Sequence, residues 1–135
     1  MTNEELVRKA EEGMANAYAP YSGFLVGAAL LCRDGSVFTG CNVENASYGA
    51  AICAERTAIT KAVSEGYQKF EKIAIVCSSG SYAYPCGICR QVMAEFMLDG
   101  QVILADKEKG ILEFSVKELL PGAFTRKDLF HGSTK

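Results

Sequence analysis

The sequence predicts an α/β fold, a three-layer α/β/α sandwich around a mixed five-stranded sheet, and three observations predict it. Segments with helical and strand periodicity follow one another as helix, two strands, then helix and strand in alternation. The strand segments are short apolar runs. The 135 residues, 49% apolar and 22% charged, form one domain over 1–135, large enough to hide about two-thirds of the extended chain's surface without disulfide staples. No repeat, linker or low-complexity stretch interrupts it.

The elements follow in order. Thr2 and Glu5 have the form of a capping box, and Leu6, Ala10, Met14, Ala17 and Tyr18 recur at helical spacing, so a first helix runs until near Pro20. Phe24 to Cys32 and Ser36 to Cys41 are strand-like runs on either side of Asp34-Gly35, a tight-turn dipeptide, and predict a hairpin. Ala51 to Glu65 is alanine-rich, with Ile52, Ile59 and Val63 on one stripe and Gly66 as terminator, which predicts a second helix. Lys72 to Cys77 reads as a buried strand, followed by a Ser/Gly/Tyr loop. Pro85 then stands as the first residue of a third helix that runs to Gly100, with Ile88, Val92 and Phe96 inward. Gln101 to Ala105 and Leu112 to Val116 complete five strands.

Composition excludes several function classes. A formal charge of -2 argues against a nucleic-acid partner, since proteins that grip phosphate backbones carry a basic excess. The single histidine, His131, leaves Ser-His-Asp triads and multi-histidine metal sites without their parts, so any metal chemistry must use cysteine. The charged N-terminus lacks a secretory pattern, and the longest apolar run, Phe24 to Cys32, is half a membrane span. A cytoplasmic protein without membrane contact is expected, its six cysteines reduced.

Cys32, Cys41 and Cys77 fall on strand-like runs and read as small buried hydrophobes. Cys53, Cys86 and Cys89 instead fall at predicted helix starts, where the helix dipole lowers thiol pKa and prepares thiolates for a soft cation such as zinc. Cys86-x-x-Cys89 alone also fits a redox dithiol, but three ligands with one open position is the pattern of a catalytic zinc. Glu55 then supplies a proton-transfer group beside Cys53. Residues two apart lie about 200° around a helix, so Cys53 belongs to the first turn and the metal lies off both helix ends. Three thiolates on a zinc dication leave about -1, and Arg56 and Arg90 adjoin the ligand turns where they could donate to sulfur; exposed helix arginines with surface ion pairs are the alternative.

Cys53-Ala54-Glu55 followed by Pro85-Cys86-Gly87-Ile88-Cys89 resembles the zinc nucleoside and nucleobase deaminases. Asn42-Val43-Glu44-Asn45-Ala46-Ser47-Tyr48-Gly49 is similar to the small homotetrameric cytidine deaminases, and the likeness extends from Tyr21-Ser22-Gly23-Phe24 to Leu119-Leu120-Pro121-Gly122-Ala123-Phe124. The resemblance implies a cytidine deaminase-like fold and one zinc per chain on Cys53, Cys86 and Cys89, with Glu55 as proton shuttle. It implies hydrolytic deamination of cytidine, and of deoxycytidine, to the uridine nucleoside and ammonia by a zinc-bound hydroxide, in pyrimidine salvage. Asn42 and Glu44 would hold the ribose 3'-hydroxyl, Phe24 would pack on the pyrimidine, Ala54 would also touch substrate, and Tyr48 and Phe124 would be lent to a neighbouring subunit.

Read as residues alone, Asn42 and Glu44 alternate on one side of a chain leaving a strand and suit a polyol, or else are a turn-capping Asn and an exposed Glu. Phe24, opening an apolar strand, also suits the core. Two rivals follow: a blasticidin S-type aminonucleoside deaminase, which is not expected to carry Asn42-Val43-Glu44, and a non-enzymatic zinc or dithiol module, which requires a fourth ligand or a disulfide.

Overall fold

The computed structural model of the chain describes residues 1–132. Helix α1 (Asn3–Met14) starts at the expected capping box: the Thr2 hydroxyl accepts from the Glu5 amide and the Glu5 carboxylate accepts from the Thr2 amide, both at 3.1 Å. It stops well before Pro20. The Tyr18 amide donates to the Asn42 carbonyl and its own carbonyl accepts from the Glu44 amide, so Tyr18 bridges to the Val43 stretch instead of extending the helix.

Strands β1 (Val26–Cys32) and β2 (Val37–Cys41) form the expected hairpin, with Gly35 at φ 94° in the turn. The chain continues through a 3₁₀ turn at Tyr48–Ala50 into helix α2 (Ala54–Ser64), strand β3 (Phe70–Cys77), helix α3 (Gly87–Met97), and strands β4 (Gln101–Asp106) and β5 (Gly110–Ser115). The sheet order is β2-β1-β3-β4-β5, parallel only between β3 and β4, which is the mixed five-stranded sheet expected.

Side-chain alternation along the central strands makes the layers. Ala29, Leu31, Ala74, Val76 and Ile103 point to one face and meet Leu6 and Ala10 of α1. Ala28, Leu30, Ile73, Ile75, Val102 and Leu104 point to the other, against Ala58 and Ile59 of α2 and Met93 and Met97 of α3. Gly40 lets α2 settle onto β2: a Cβ there would overlap the Ala54 carbonyl oxygen and stand 2.5 Å from the Ala58 amide nitrogen.

The helix starts differ from expectation in ways that matter. Ile52 exchanges two backbone hydrogen bonds of 3.0 Å with Val43, so α2 begins after Cys53, which is its N-cap, and not at Ala51. Pro85 lies fully buried ahead of α3, and Cys86 is the N-cap. The inward stripe of α3 is accordingly Cys89, Met93 and Met97; Val92 and Phe96 flank the core, and Ile88 is 63% exposed. Val116 belongs not to the last strand but to a short helix α4 (Val116–Leu119), opened by a Ser115–Glu118 capping box, and helix α5 (Arg126–Gly132) follows. Cys32 and Cys77 are buried as expected, whereas Cys41 is only half-buried.

Candidate active site

Because β2 and β3 both run antiparallel to β1, their C-terminal ends share one edge of the sheet with the N-terminal end of β1. That edge gathers three segments distant in sequence: Phe24 ahead of β1, Asn42 to Glu44 after β2, and the loop after β3 that leads to Cys86. Between them opens a cleft of about 700 Å³, lined by Phe24, Asn42, Glu44, Tyr48, Cys53, Ala54, Glu55, Arg56, Tyr84, Cys86 and Ile88 among others, a size suited to a small organic ligand.

At its floor the starts of α2 and α3 converge. The sulfurs of Cys53, Cys86 and Cys89 lie within 4.8 Å of one another, with Cys53 and Cys86 3.8 Å apart. Thiolates at 2.3 Å from a tetrahedral zinc stand about 3.8 Å apart, so the spacing fits that ion. All six cysteines are unpaired, and among the described residues no fourth His, Cys, Asp or Glu joins the cluster. Three soft donors with one side open to the cleft match a catalytic rather than a structural zinc. The Cys53 thiol is pushed down to about 5, first by a hydrogen bond from Cys89 and then by those from Arg56 and Cys86. Cys89, the donor in that bond and fully buried, is raised.

Arg56 sets its Nη2 3.5 Å from the Cys53 sulfur, while its Nε is buried without a hydrogen-bond partner among the described residues. Arg90 does not reach sulfur through the bonds it makes: its Nε donates to the Pro85 carbonyl and its Nη1 to the Leu119 carbonyl, both at 2.8 Å. Position in the sequence could not separate these two arginines, because both adjoin a ligand turn.

Glu55 is the one buried charged side chain among the described residues, 4% exposed. Burial, and next among the raising influences the Cys53 charge, lift its carboxyl from the ordinary 4.5 to about 7.

At the other end of the cleft Asn42 and Glu44 are already engaged. The Asn42 carboxamide oxygen accepts from the Val26 amide and its nitrogen donates to the Phe24 carbonyl, both at 2.8 Å. Glu44 accepts from the amides of Tyr21 and Ser22 at 3.0 and 3.1 Å and from the Ser22 hydroxyl, which holds its carboxyl below the ordinary value. Ser22 escaped the sequence reading because an exposed loop serine has no periodic signal. Phe24 is 44% exposed at the mouth and is not a core residue. Ala54 is buried in the cleft wall, and Tyr48, 83% exposed, lines the rim of its own chain's cleft. Phe124 is 57% exposed with its carbonyl held by Gln91, outside that lining. Tyr84 and Ile88 are wall residues for which sequence carried no cue.

Comparison with known proteins decides the family. Residues 1–105 match the cytidine and deoxycytidylate deaminase zinc-binding region. The chain belongs to the cytidine and deoxycytidylate deaminase family. The cytidine deaminase of Halalkalibacterium halodurans is 51% identical over 130 residues, 96% of this chain and 98% of that one. That of Sporosarcina psychrophila is 45% identical, covering 98% of both chains. The crystal structure of the cytidine deaminase from Burkholderia pseudomallei superposes with a TM-score of 0.87 at 47% identity, over 92% of this chain and 100% of that one. The fold is therefore that of the small cytidine deaminases, and the three-cysteine cluster is the zinc-binding centre of a family member, one ion per chain.

Proposed function

We propose that this chain catalyses hydrolytic deamination of cytidine, and of 2'-deoxycytidine, to the uridine nucleoside and ammonia, serving pyrimidine salvage in the cytoplasm. The observation that carries this reading is a buried carboxyl of raised pKa beside three converging cysteine sulfurs, at the floor of a cleft with polar side chains at its far end. Its rival, a non-enzymatic zinc or dithiol module, leaves the buried Glu55 without a purpose. Among the described residues no helix is long and apolar enough to cross a membrane, and the unpaired cysteines suit a reducing compartment.

Cys53, Cys86 and Cys89 would hold the zinc. Bound there, the ion supplies Lewis acidity that activates a water molecule for addition to C4 of the ring. Glu55 takes a proton from the attacking water and passes it to N3. It then carries the proton of the new C4 hydroxyl to the amino group, which leaves as ammonia. Arg56 places positive charge beside Cys53 and offsets the thiolate excess. Phe24 packs on the pyrimidine and Ala54 contributes to the wall around the ring.

The far end reads the sugar. Glu44 takes three protein donors, and a carboxylate has room for about four. Asn42 commits one amide hydrogen to Phe24 and keeps the other. A ribose 3'-hydroxyl completes both groups by donating to Glu44 and accepting from Asn42. We assign the active unit as a homotetramer whose sites are completed by neighbouring copies, with Phe124, exposed and outside its own cleft, as the residue lent.

Metal analysis and ammonia release test the reading together. The purified protein should hold one zinc per chain and release ammonia from cytidine, and Cys86→Ala should lose metal and activity at once. Substrate choice tests the sugar clamp. Loss of the 3'-hydroxyl leaves polar groups unpaired at about 1 to 3 kcal/mol each, so cytosine and 2',3'-dideoxycytidine should be poor substrates. Glu44→Ala should lower kcat/KM for cytidine and narrow the gap to dideoxycytidine. Equal turnover of cytosine and cytidine would refute the clamp, and a preference for blasticidin S would transfer the assignment to that deaminase type.

A further inference from the structure

The three cysteines are not held equally. Cys89 is fully buried in the core-facing stripe of α3, and Cys53 has Arg56 against its sulfur. Cys86 is exposed, with its sulfur 3.8 Å from that of Cys53, and as the N-cap of α3 it makes no side-chain capping bond, so its direction depends largely on how the backbone enters the helix. The carbonyl immediately before it, that of Pro85, accepts from Arg90 Nε at 2.8 Å. The same guanidinium reaches across to the Leu119 carbonyl at the end of α4, also at 2.8 Å, where a cation suits both an unpaired helix-end carbonyl and the negative end of a helix. One residue on, Gln91 Nε2 donates to the Phe124 carbonyl at 2.7 Å. The first turns of α3 thus grip the 119–124 segment at two carbonyls and the Pro85 peptide at a third.

Resting on the zinc assignment of Cys53, Cys86 and Cys89, we propose that Arg90 is a positioning residue for Cys86, acting through the Pro85 carbonyl, with the 119–124 segment as its anchor. Planarity is what makes arginine suitable. A rigid fork donates from Nε and Nη1 in two fixed directions at once, whereas the single ammonium of a lysine cannot meet two separated carbonyls in the same way. The bond to Leu119 keeps the guanidinium from swinging out, and the bond to Pro85 fixes the peptide plane from which Cys86 departs. The zinc-binding turn therefore depends on a part of the chain more than thirty residues downstream.

The test is the rate at which zinc passes from the purified, metal-loaded protein to a chromophoric chelator, measured for wild type, Arg90→Ala and Arg90→Lys, with Lys117→Ala as a surface control. Loss of a group that orients a metal ligand commonly costs about 10- to 100-fold in metal affinity. Arg90→Ala should release zinc faster by that order, Arg90→Lys should fall between it and wild type, and Lys117→Ala should match wild type. The thiolate-to-metal bands of the cobalt-substituted protein should shift in both Arg90 variants. Should Arg90→Ala fail to fold, Arg90→Lys carries the comparison. Wild-type release rates and cobalt spectra in the folded Arg90 variants would overturn the proposal, even if their metal-free melting temperatures fall, because the residue would then support the fold alone. A wild-type protein that binds no zinc would bring down the metal site itself and this proposal with it.

Discussion

A carboxyl that must take up and release protons within one turnover works best with a pKa near ambient pH, and Glu55 reaches about 7 because it is buried beside the charge of Cys53. Glu55→Gln keeps the size and removes the proposed proton transfer. Single-turnover kinetics on zinc-loaded protein should show kcat lowered by at least about 10² to 10⁴, with zinc content unchanged. Activity within a few-fold of wild type would remove Glu55 from the chemistry. The same shift appears in the stability of the metal-free protein. Folding raises this pKa, so the stabilisation from the neutral, buried carboxyl is fully present below pH 4.5 and is lost as pH rises through about 7. At 1.36 kcal/mol per unit the loss is about 3 kcal/mol at most. Cys53, lowered to about 5, works in the opposite sense, since its stabilisation is lost as pH falls through that value. Subtracting the urea-unfolding free energy of Glu55→Gln isolates the glutamate. The variant should gain on wild type between pH 5 and 7.5, and a flat difference would mean an ordinary carboxyl.

The elements place these residues through contacts that periodicity conveys only in part. The hairpin, the alternation of helix and strand and the convergence of two cysteine-bearing helix starts were legible, because turn dipeptides, apolar runs and ligand spacing are local signals. Helix boundaries were less so. Tyr18 and Ile52 both commit backbone groups to the Val43 stretch, a pairing between distant segments, and it moved the end of α1 and the start of α2. On α3 the stripes 88-92-96 and 89-93-97 are both apolar in sequence, so periodicity alone does not choose between them, and in the structure the second is the buried one, behind a buried Pro85. For α4 the signal was present in Ser115 and Glu118, a capping box that the apolar run to Val116 obscured. Gly40 is the point where an element contact becomes a prediction. Because α2 lies against it with backbone atoms and no flexible side chain to yield, Gly40→Ala should destabilise by the upper end of about 1 to 3 kcal/mol in denaturant unfolding. The displacement begins at Ala54, so activity should fall more than the folded fraction does. Gly66→Ala, which meets nothing within 4 Å but holds φ 95°, should cost stability without that extra loss of activity.

For the whole molecule, the exposed apolar side chains Tyr48, Tyr84 and Ile88 on the cleft and Phe124 beyond its lining ask for something to cover them, since all are at least half exposed. A monomeric enzyme gains nothing from presenting Phe124 on a segment that Gln91 and Arg90 fasten so firmly, yet a firmly held aromatic is what a neighbouring subunit's site can use. The proposed homotetramer gives a test that needs no structure of the assembly. Phe124→Ala should impair the site to which the ring is lent, and Glu55→Gln should silence the site of its own chain. In hybrids formed by co-expressing the two variants, a chain carrying Phe124→Ala keeps its own Glu55 and receives Phe124 from a neighbour that carries Glu55→Gln. Such a site is complete. Activity per chain in the purified mixture should therefore exceed the average of the two variants measured separately, and the excess should follow the fraction of hybrids resolved by tagging the two chains differently. If Phe124 serves its own chain's cleft, every site in the mixture lacks one group or the other and the activity is the simple average, whatever the hybrid content.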